Sequence, residues 1–110
     1  MNNAPVSKPP GFPCPGCGFI VFSEPPGSYA ICPLCDWEDD HVQLKNPGMR
    51  GGANKESLHE HQLKTLKAIR LELVEFRGFV RDSTWRLLRI EECEEAAEAS
   101  GSYYWKPNQS

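Results

Sequence analysis

The sequence predicts an α+β fold in which a small β hairpin carrying two cysteine knuckles packs against a long C-terminal helix and a second, shorter helix. Three observations point there. Most of the 10 prolines and 9 glycines lie in the first half of the chain, a composition that favours turns and short strands. Two Cys-Pro-x-Cys pairs, Cys14/Cys17 and Cys32/Cys35, stand 14 residues apart. From Ser57 onward, apolar side chains recur at spacings of three and four, the period of a helix with one buried face.

Size and composition bound the rest. With 110 residues the chain is one domain's worth of material, and so short a chain buries only a modest core that a bound metal would supplement. The apolar fraction of 39% is below that of an ordinary globular chain. No apolar run approaches the roughly 20 residues needed to span a bilayer, and the start is polar and proline-rich, so the expectation is a cytoplasmic protein without a membrane segment. The formal charge of −3 is unevenly spread: four acids crowd residues 36–40, eight basic and four acidic groups occupy residues 41–81, and three basic and six acidic groups follow. A basic middle therefore lies between two acidic flanks.

The elements follow in order. Residues 1–11 (MNNAPVSKPPG) have no periodicity and are expected to form a flexible arm. Residues 12–54 form the ribbon and its loop: a strand at Phe19–Phe22, a turn at Pro25-Pro26-Gly27 and a second strand at Ser28–Ile31 would place one knuckle at each end of a single hairpin. Turn signals at Asn46-Pro47-Gly48 and Gly51-Gly52 mark the loop. Residues 55–110 are the helical part of the same domain. Ser57 and Glu60 have the form of a capping box, and the stripe of Leu58, Leu63, Leu66, Ile69, Leu73 and Phe76 predicts a helix from Ser57 to about Phe76, stopped by Gly78. Trp85–Ile90 is ambiguous between strand and helix, while Glu91–Ala99 is composed of strong helix formers.

Thiolates are soft ligands, and a two-residue gap lets both sulfurs of a pair face one ion while the intervening amides turn toward them. Cys14, Cys17, Cys32 and Cys35 are thus the expected ligands of one structural Zn2+, which makes the hairpin zinc-ribbon-like. An iron–sulfur cluster, a redox dithiol and a metal-free site are the weaker alternatives. Gly18 suits the positive φ that closes such a knuckle, and Asp36, in the equivalent place, would have to tolerate it or the turn would differ slightly. With four protein sulfurs bound, the ion would keep no position for water, so a catalytic zinc is not expected. Cys93, among glutamates, reads as a small semi-buried side chain.

Three blocks, FPCPGCGF, YAICPLCDWEDDHVQ and NPGMRGGANKESLHEHQ, together resemble the bacterial cysteine-rich CPCC family of small zinc-binding domains over about residues 12–63. That family is characterised by a CPCC knuckle, an ICPxCxWEDD segment and a GGAN stretch leading into Ser-Leu. The chain departs from it at Gly16, where the family has a further cysteine. The resemblance implies the metal and the fold more than a role; similar domains occur in bacterial toxin and immunity settings.

The remaining candidates concern partners. Trp37, Glu38, Asp39, Asp40 and His41 follow the second knuckle. They could form an acidic site, but the reading favoured here is structural, with Trp37 covering the knuckle and the carboxylates capping turns or accepting from the Gly51–Asn54 loop. Asn54 is expected to fix that loop. His59 and His61, two apart on the helix, are expected at the surface or a helix end. For function, the sequence favours a non-catalytic, zinc-stabilised protein-interaction domain, in its most specific form an immunity protein that neutralises a basic toxin or nuclease. Glu38, Asp39, Asp40, Glu91, Glu94, Glu95 and Glu98 would be its acidic contacts, with Trp37 beside them, and Tyr103, Tyr104 and Trp105 its anchors. The alternatives are a nucleic-acid module using Lys55, Lys64, Lys67, Arg70, Arg77 and Arg81, an enzyme with an acidic site at 36–41, and a homodimer formed through the Leu66–Phe76 stripe. No Ser-His-Asp order, phosphate loop or zinc-protease signature supports an enzyme.

Overall fold

The computed structural model describes residues 11–94 and 103–105. Each cysteine pair sits at the tip of its own short hairpin. Strands β1 (Phe12–Pro13) and β2 (Ile20–Phe22) pair antiparallel across the first knuckle, with a register shift between Phe12 and Pro13. Around the second knuckle, an antiparallel bridge joins Ile31 to Glu38. The expected pairing of Phe19–Phe22 with Ser28–Ile31 is therefore corrected. A strand leaving one knuckle pairs with the strand entering that same knuckle, because the Cys-x-x-Cys turn itself reverses the chain.

A short helix α1 (His41–Lys45) follows the second knuckle, capped by Asp40, whose carboxylate accepts from the amides of Val42 and Gln43. The longer helix α2 (Leu58–Leu66) starts at the expected capping box: the Ser57 hydroxyl accepts from the Glu60 amide, and the Glu60 carboxylate accepts from the Ser57 amide. It ends ten residues before the Phe76 that the apolar stripe had suggested. Tight turns follow, in which the Ala68 and Ile69 amides both reach the Thr65 carbonyl. Leu73 and Phe76, the far end of the stripe, still pack on the core, Leu73 from the turns after α2 and Phe76 from a third hairpin.

That hairpin, β3 (Glu75–Phe76) with β4 (Phe79–Val80), turns at Arg77-Gly78, both with positive φ (51° and 86°). Two central residues of that kind form the mirror-image turn whose twist matches antiparallel strands. Gly78 is a hairpin residue and not a helix stop. Beyond it, Phe19 forms a bridge with Arg81, and the Asp82 amide donates to the Gly18 carbonyl, so this third hairpin is tied to the first knuckle. Ile90–Glu94 form a 3-10 turn, where a helix from Glu91 was expected. The rest of that stretch and the arm at 1–10 lie outside the described residues.

The fold class stands: a hairpin with clustered cysteines packs against one helix of nine residues and one of five. Its core holds Cys14, Cys17, Cys32, Phe19, Phe22, Trp37, Leu44, Leu58, Ile69 and Leu88, so the cysteine cluster is part of the hydrophobic interior.

Candidate metal centre

The two knuckles reach the same backbone geometry from different sequences. In the first, the Cys14 amide donates to the Phe19 carbonyl (2.9 Å) and the Gly18 amide to the Cys14 carbonyl (2.6 Å). In the second, the Cys32 amide donates to the Trp37 carbonyl (2.9 Å) and the Asp36 amide to the Cys32 carbonyl (3.0 Å). The closing residues have φ of 85° at Gly18 and 70° at Asp36, so Asp36 does adopt the conformation the knuckle demands. Amides also face the leading sulfur of each pair: Gly16 donates to the Cys14 Sγ at 3.3 Å and Leu34 to the Cys32 Sγ at 3.3 Å.

The turns bring four sulfurs together within 4.8 Å of one another. Cys14 Sγ lies 3.7 Å from Cys35 Sγ, and Cys17 Sγ lies 3.8 Å from Cys32 Sγ. Both separations are far too long for a disulfide, and all four cysteines are free. They match the edges of a tetrahedron: metal–sulfur bonds of about 2.3 Å set sulfurs about 3.8 Å apart. The donor set therefore fits one tetrahedral ion supplied entirely by protein sulfur. Electrostatics agree. Burial, reinforced by neighbouring thiols, pushes Cys14 well above the ordinary thiol range. Cys32, accepting hydrogen bonds from Cys14, Cys17 and Cys35, is pulled far below it. Four thiolates this close together would repel one another, and a divalent cation bound between them would offset that repulsion.

The surroundings are dense. Trp37 is fully buried and its ring meets that of His61 at 5.1 Å. His61 is also buried, which corrects the expectation of a surface histidine: its Nε2 donates to the Cys35 carbonyl at 2.9 Å, and its Nδ1 contacts the Glu56 carboxylate at 2.6 Å. That contact, followed by the one from Lys64, holds the Glu56 carboxyl down to about 2. A Cβ at Gly16 would lie 2.9 Å from the His61 ring and 3.3 Å from the Cys35 sulfur, so the histidine occupies the room that a side chain at position 16 would need. On the other side, Trp85 lies over Gly18, where a Cβ would come within 2.5 Å of the indole. Gln62, also buried, donates to the Pro15 carbonyl and to the Tyr104 hydroxyl and accepts from the Leu88 amide.

The acidic block is spent on structure. Asp39 is buried and accepts from the Ser28 amide and hydroxyl, and burial raises its pKa. Asp40, also buried, caps α1 and accepts from the Ala53 amide. Asn54 pairs with the backbone of Glu38 in both directions and, with Gln43, locks the Gly51–Asn54 loop. The expected contact between the acidic block and that loop is thus present. Trp37, Asp39 and Asp40 are consequently not available as surface contacts, nor do the carboxylates converge on a site of their own.

The other candidates are dispersed. Glu91 is exposed, Glu38 is half-buried, Glu94 ends the 3-10 turn, and Glu95 and Glu98 lie outside the described residues. Tyr103 and Tyr104 are half-buried and Trp105 buried; Tyr104 hydrogen-bonds to the Arg86 carbonyl, and the Trp105 ring stacks on Tyr103 at 4.3 Å. Of the basic set, Lys55, Lys64, Lys67, Arg70 and Arg77 are exposed, with Lys64 paired to Glu56 and Arg70 to Glu72. Arg81 is buried, donating from Nε to the Cys17 carbonyl and from Nη1 to the carbonyls of Arg70, Leu71 and Leu73, so it is no phosphate contact. Gln43 and Gln62 are the site residues that sequence reasoning missed, and His61 and Arg81 are the two it assigned to the surface; all four are buried and polar, and no periodicity flags a buried polar side chain.

Fold and site together define a small cysteine-rich domain built around a candidate four-thiolate metal centre. The chain belongs to the family described as Cysteine-rich CPCC, whose model matches residues 12–69. No curated protein matches it. Among the described residues, no helix is long and apolar enough to cross a membrane.

Proposed function

We propose that this chain is a non-catalytic protein-interaction domain whose fold depends on one structural Zn2+ held by Cys14, Cys17, Cys32 and Cys35. The observation that carries the reading is the set of four sulfurs within 4.8 Å of one another, three of them on fully buried cysteines, with two separations, 3.7 and 3.8 Å, that equal the edge of a zinc–sulfur tetrahedron. Four thiolates favour zinc over harder cations, and a filled tetrahedron leaves the ion no vacancy at which to activate water. When bound, zinc supplies a cross-link between the two knuckles and withdraws the protons from their thiols.

The interaction half of the proposal rests on the burial pattern. The polar groups best suited to acid–base chemistry, Asp39, Asp40 and His61, are consumed by internal hydrogen bonds. Large apolar side chains remain exposed at the second knuckle, in the segment leading to β3 and at the 3-10 turn, among them Ile31, Leu71, Val74 and Ile90. An immunity-type role against a basic toxin or nuclease is the specific form of this proposal and follows from family resemblance; Glu38, Glu91 and the glutamates after it would supply its charge.

Elemental analysis of protein produced in a reducing cytoplasm tests the metal: one zinc per chain is expected, and less than a tenth of an equivalent contradicts it. Co-expression with the product of a neighbouring gene tests the partner. Rescue of growth with co-purification is expected, and purification as a lone chain in every such pairing contradicts the immunity form.

A further inference from the structure

The carbonyl of the second cysteine in each knuckle accepts from a buried side chain contributed by another element. Cys17 accepts from Arg81 Nε at 2.9 Å, and Cys35 accepts from His61 Nε2 at 2.9 Å. Cys17 and Cys35 are the equivalent positions of the two knuckles, and the donors arise independently, one after β4 and one within α2. Each donor is locked in turn. The Arg81 guanidinium lies 4.4 Å from the ring of Phe19 and 5.2 Å from that of Trp85, and its Nη1 is held by three carbonyls. His61 is held between Trp37 and Glu56.

Arg81 also presents a charge that its neighbours leave unbalanced. Every hydrogen bond it makes among the described residues goes to a neutral carbonyl, none of the ion pairs among them includes it, and its buried Nη2 has no acceptor there. A buried cation without a counterion is unfavourable. Four thiolates around a divalent ion carry two negative charges in excess, and that centre lies one residue's backbone away from the guanidinium.

We propose that Arg81 and His61 are a matched pair of positioning residues for the metal centre, each aiming one knuckle's second sulfur through its carbonyl, with Arg81 also supplying the buried countercharge to the tetrathiolate. The proposal rests on the reading of the four cysteines as a zinc site. Outer hydrogen bonds of this kind commonly change metal affinity by about 10- to 100-fold.

The test is competition for zinc against a chromophoric chelator in reducing buffer, with the full chain and the variants Arg81→Lys, Arg81→Gln, His61→Gln and His61→Leu. Wild type should bind one equivalent. Arg81→Gln should lose about 10- to 100-fold in zinc affinity, and Arg81→Lys, which keeps the charge without the planar clamp, should recover most of that loss. His61→Gln, which keeps a donor, should bind more tightly than His61→Leu. With cobalt in place of zinc, the thiolate-to-metal absorption band should shift in Arg81→Gln and stay put in Arg81→Lys, a change that a purely structural role would not produce. Unchanged affinity and spectra in Arg81→Gln overturn the proposal, as does a loss in Arg81→Lys equal to that in Arg81→Gln, or failure of Arg81→Lys to fold. A wild-type chain that binds no zinc defeats the underlying reading; zinc bound normally by every variant defeats this inference alone.

Discussion

The two knuckles perform the same backbone manoeuvre with unequal means. The first uses glycine at both critical places: Gly16, where the His61 ring leaves no room for a Cβ, and Gly18, where the Trp85 indole leaves none and φ is positive. The second uses Leu34 and Asp36 in those places, and its last cysteine is half-buried where the others are fully enclosed. The equivalent hydrogen bonds at the two turns show that either set of side chains reaches the same Cys-x-x-Cys backbone path. The unequal glycines show that side-chain choice is set by what packs on top. The first knuckle is pressed under Trp85 and Arg81, whereas the second leaves Asp36 in solvent.

This contrast can be broken in graded ways. The largest effect is expected where it should vanish: Cys17→Ser and Cys35→Ser should both abolish tight zinc binding, since structural zinc contributes on the order of 10 kcal/mol in small domains. Loss of the cooperative melt in both variants checks this. Next, Trp85→Ala and Trp37→Ala each empty a buried aromatic site, at a cost of about 3–5 kcal/mol, measurable by denaturant titration of the zinc-loaded chain. At the closing residues the knuckles should respond with opposite signs. Gly18→Ala meets the Trp85 ring at 2.5 Å and takes an L side chain to positive φ, so it should cost more than about 2 kcal/mol. Asp36→Gly relieves the same backbone strain without a packing loss and should gain up to about 1 kcal/mol.

The smallest effect concerns pH on the second knuckle. The Glu56 carboxyl is held down to about 2 by the hydrogen bond from His61 and then by Lys64. A carboxylate more acidic in the folded chain contributes stability above its ordinary range near 4.5 and loses it as pH falls toward 2. Glu56→Gln should therefore be less stable than wild type at neutral pH, with the gap narrowing below pH ~4.5. Chemical denaturation at stepped pH follows that difference, and a gap that stays constant contradicts it.

What could be read from the sequence was local chemistry. Cys-Pro-x-Cys spacing located the four sulfurs, Ser57 and Glu60 located the start of α2, and the knuckle pattern left Asp36 either to tolerate positive φ or to take a slightly different turn; all depend on residues a few positions apart. Pairing partners were less legible. Phe19–Phe22 has the composition of a strand, but nothing in it says whether it pairs back to Phe12 or forward to Ile31. The helix was drawn too long because Ile69, Leu73 and Phe76 keep helical spacing while packing on the core from turns and a hairpin. The signal that would have corrected this is the two-residue Arg-Gly turn between Val74-Glu75-Phe76 and Phe79-Val80, which lacks the usual Asn or Asp before the glycine. Buried polar residues were the least visible. Arg81 resembles any other cation of the basic middle, and only the three-dimensional placement of Cys17, Phe19 and Trp85 around it reveals its task.

The most direct measurement is a thermal melt of the reduced chain, followed by far-UV and near-UV circular dichroism, with equimolar zinc and with excess of a strong chelator. A cross-link between the knuckles predicts a single cooperative transition with zinc and, after chelation, loss of the near-UV signal from the buried Trp37 and Trp85. Superimposable melts in the two conditions would contradict it.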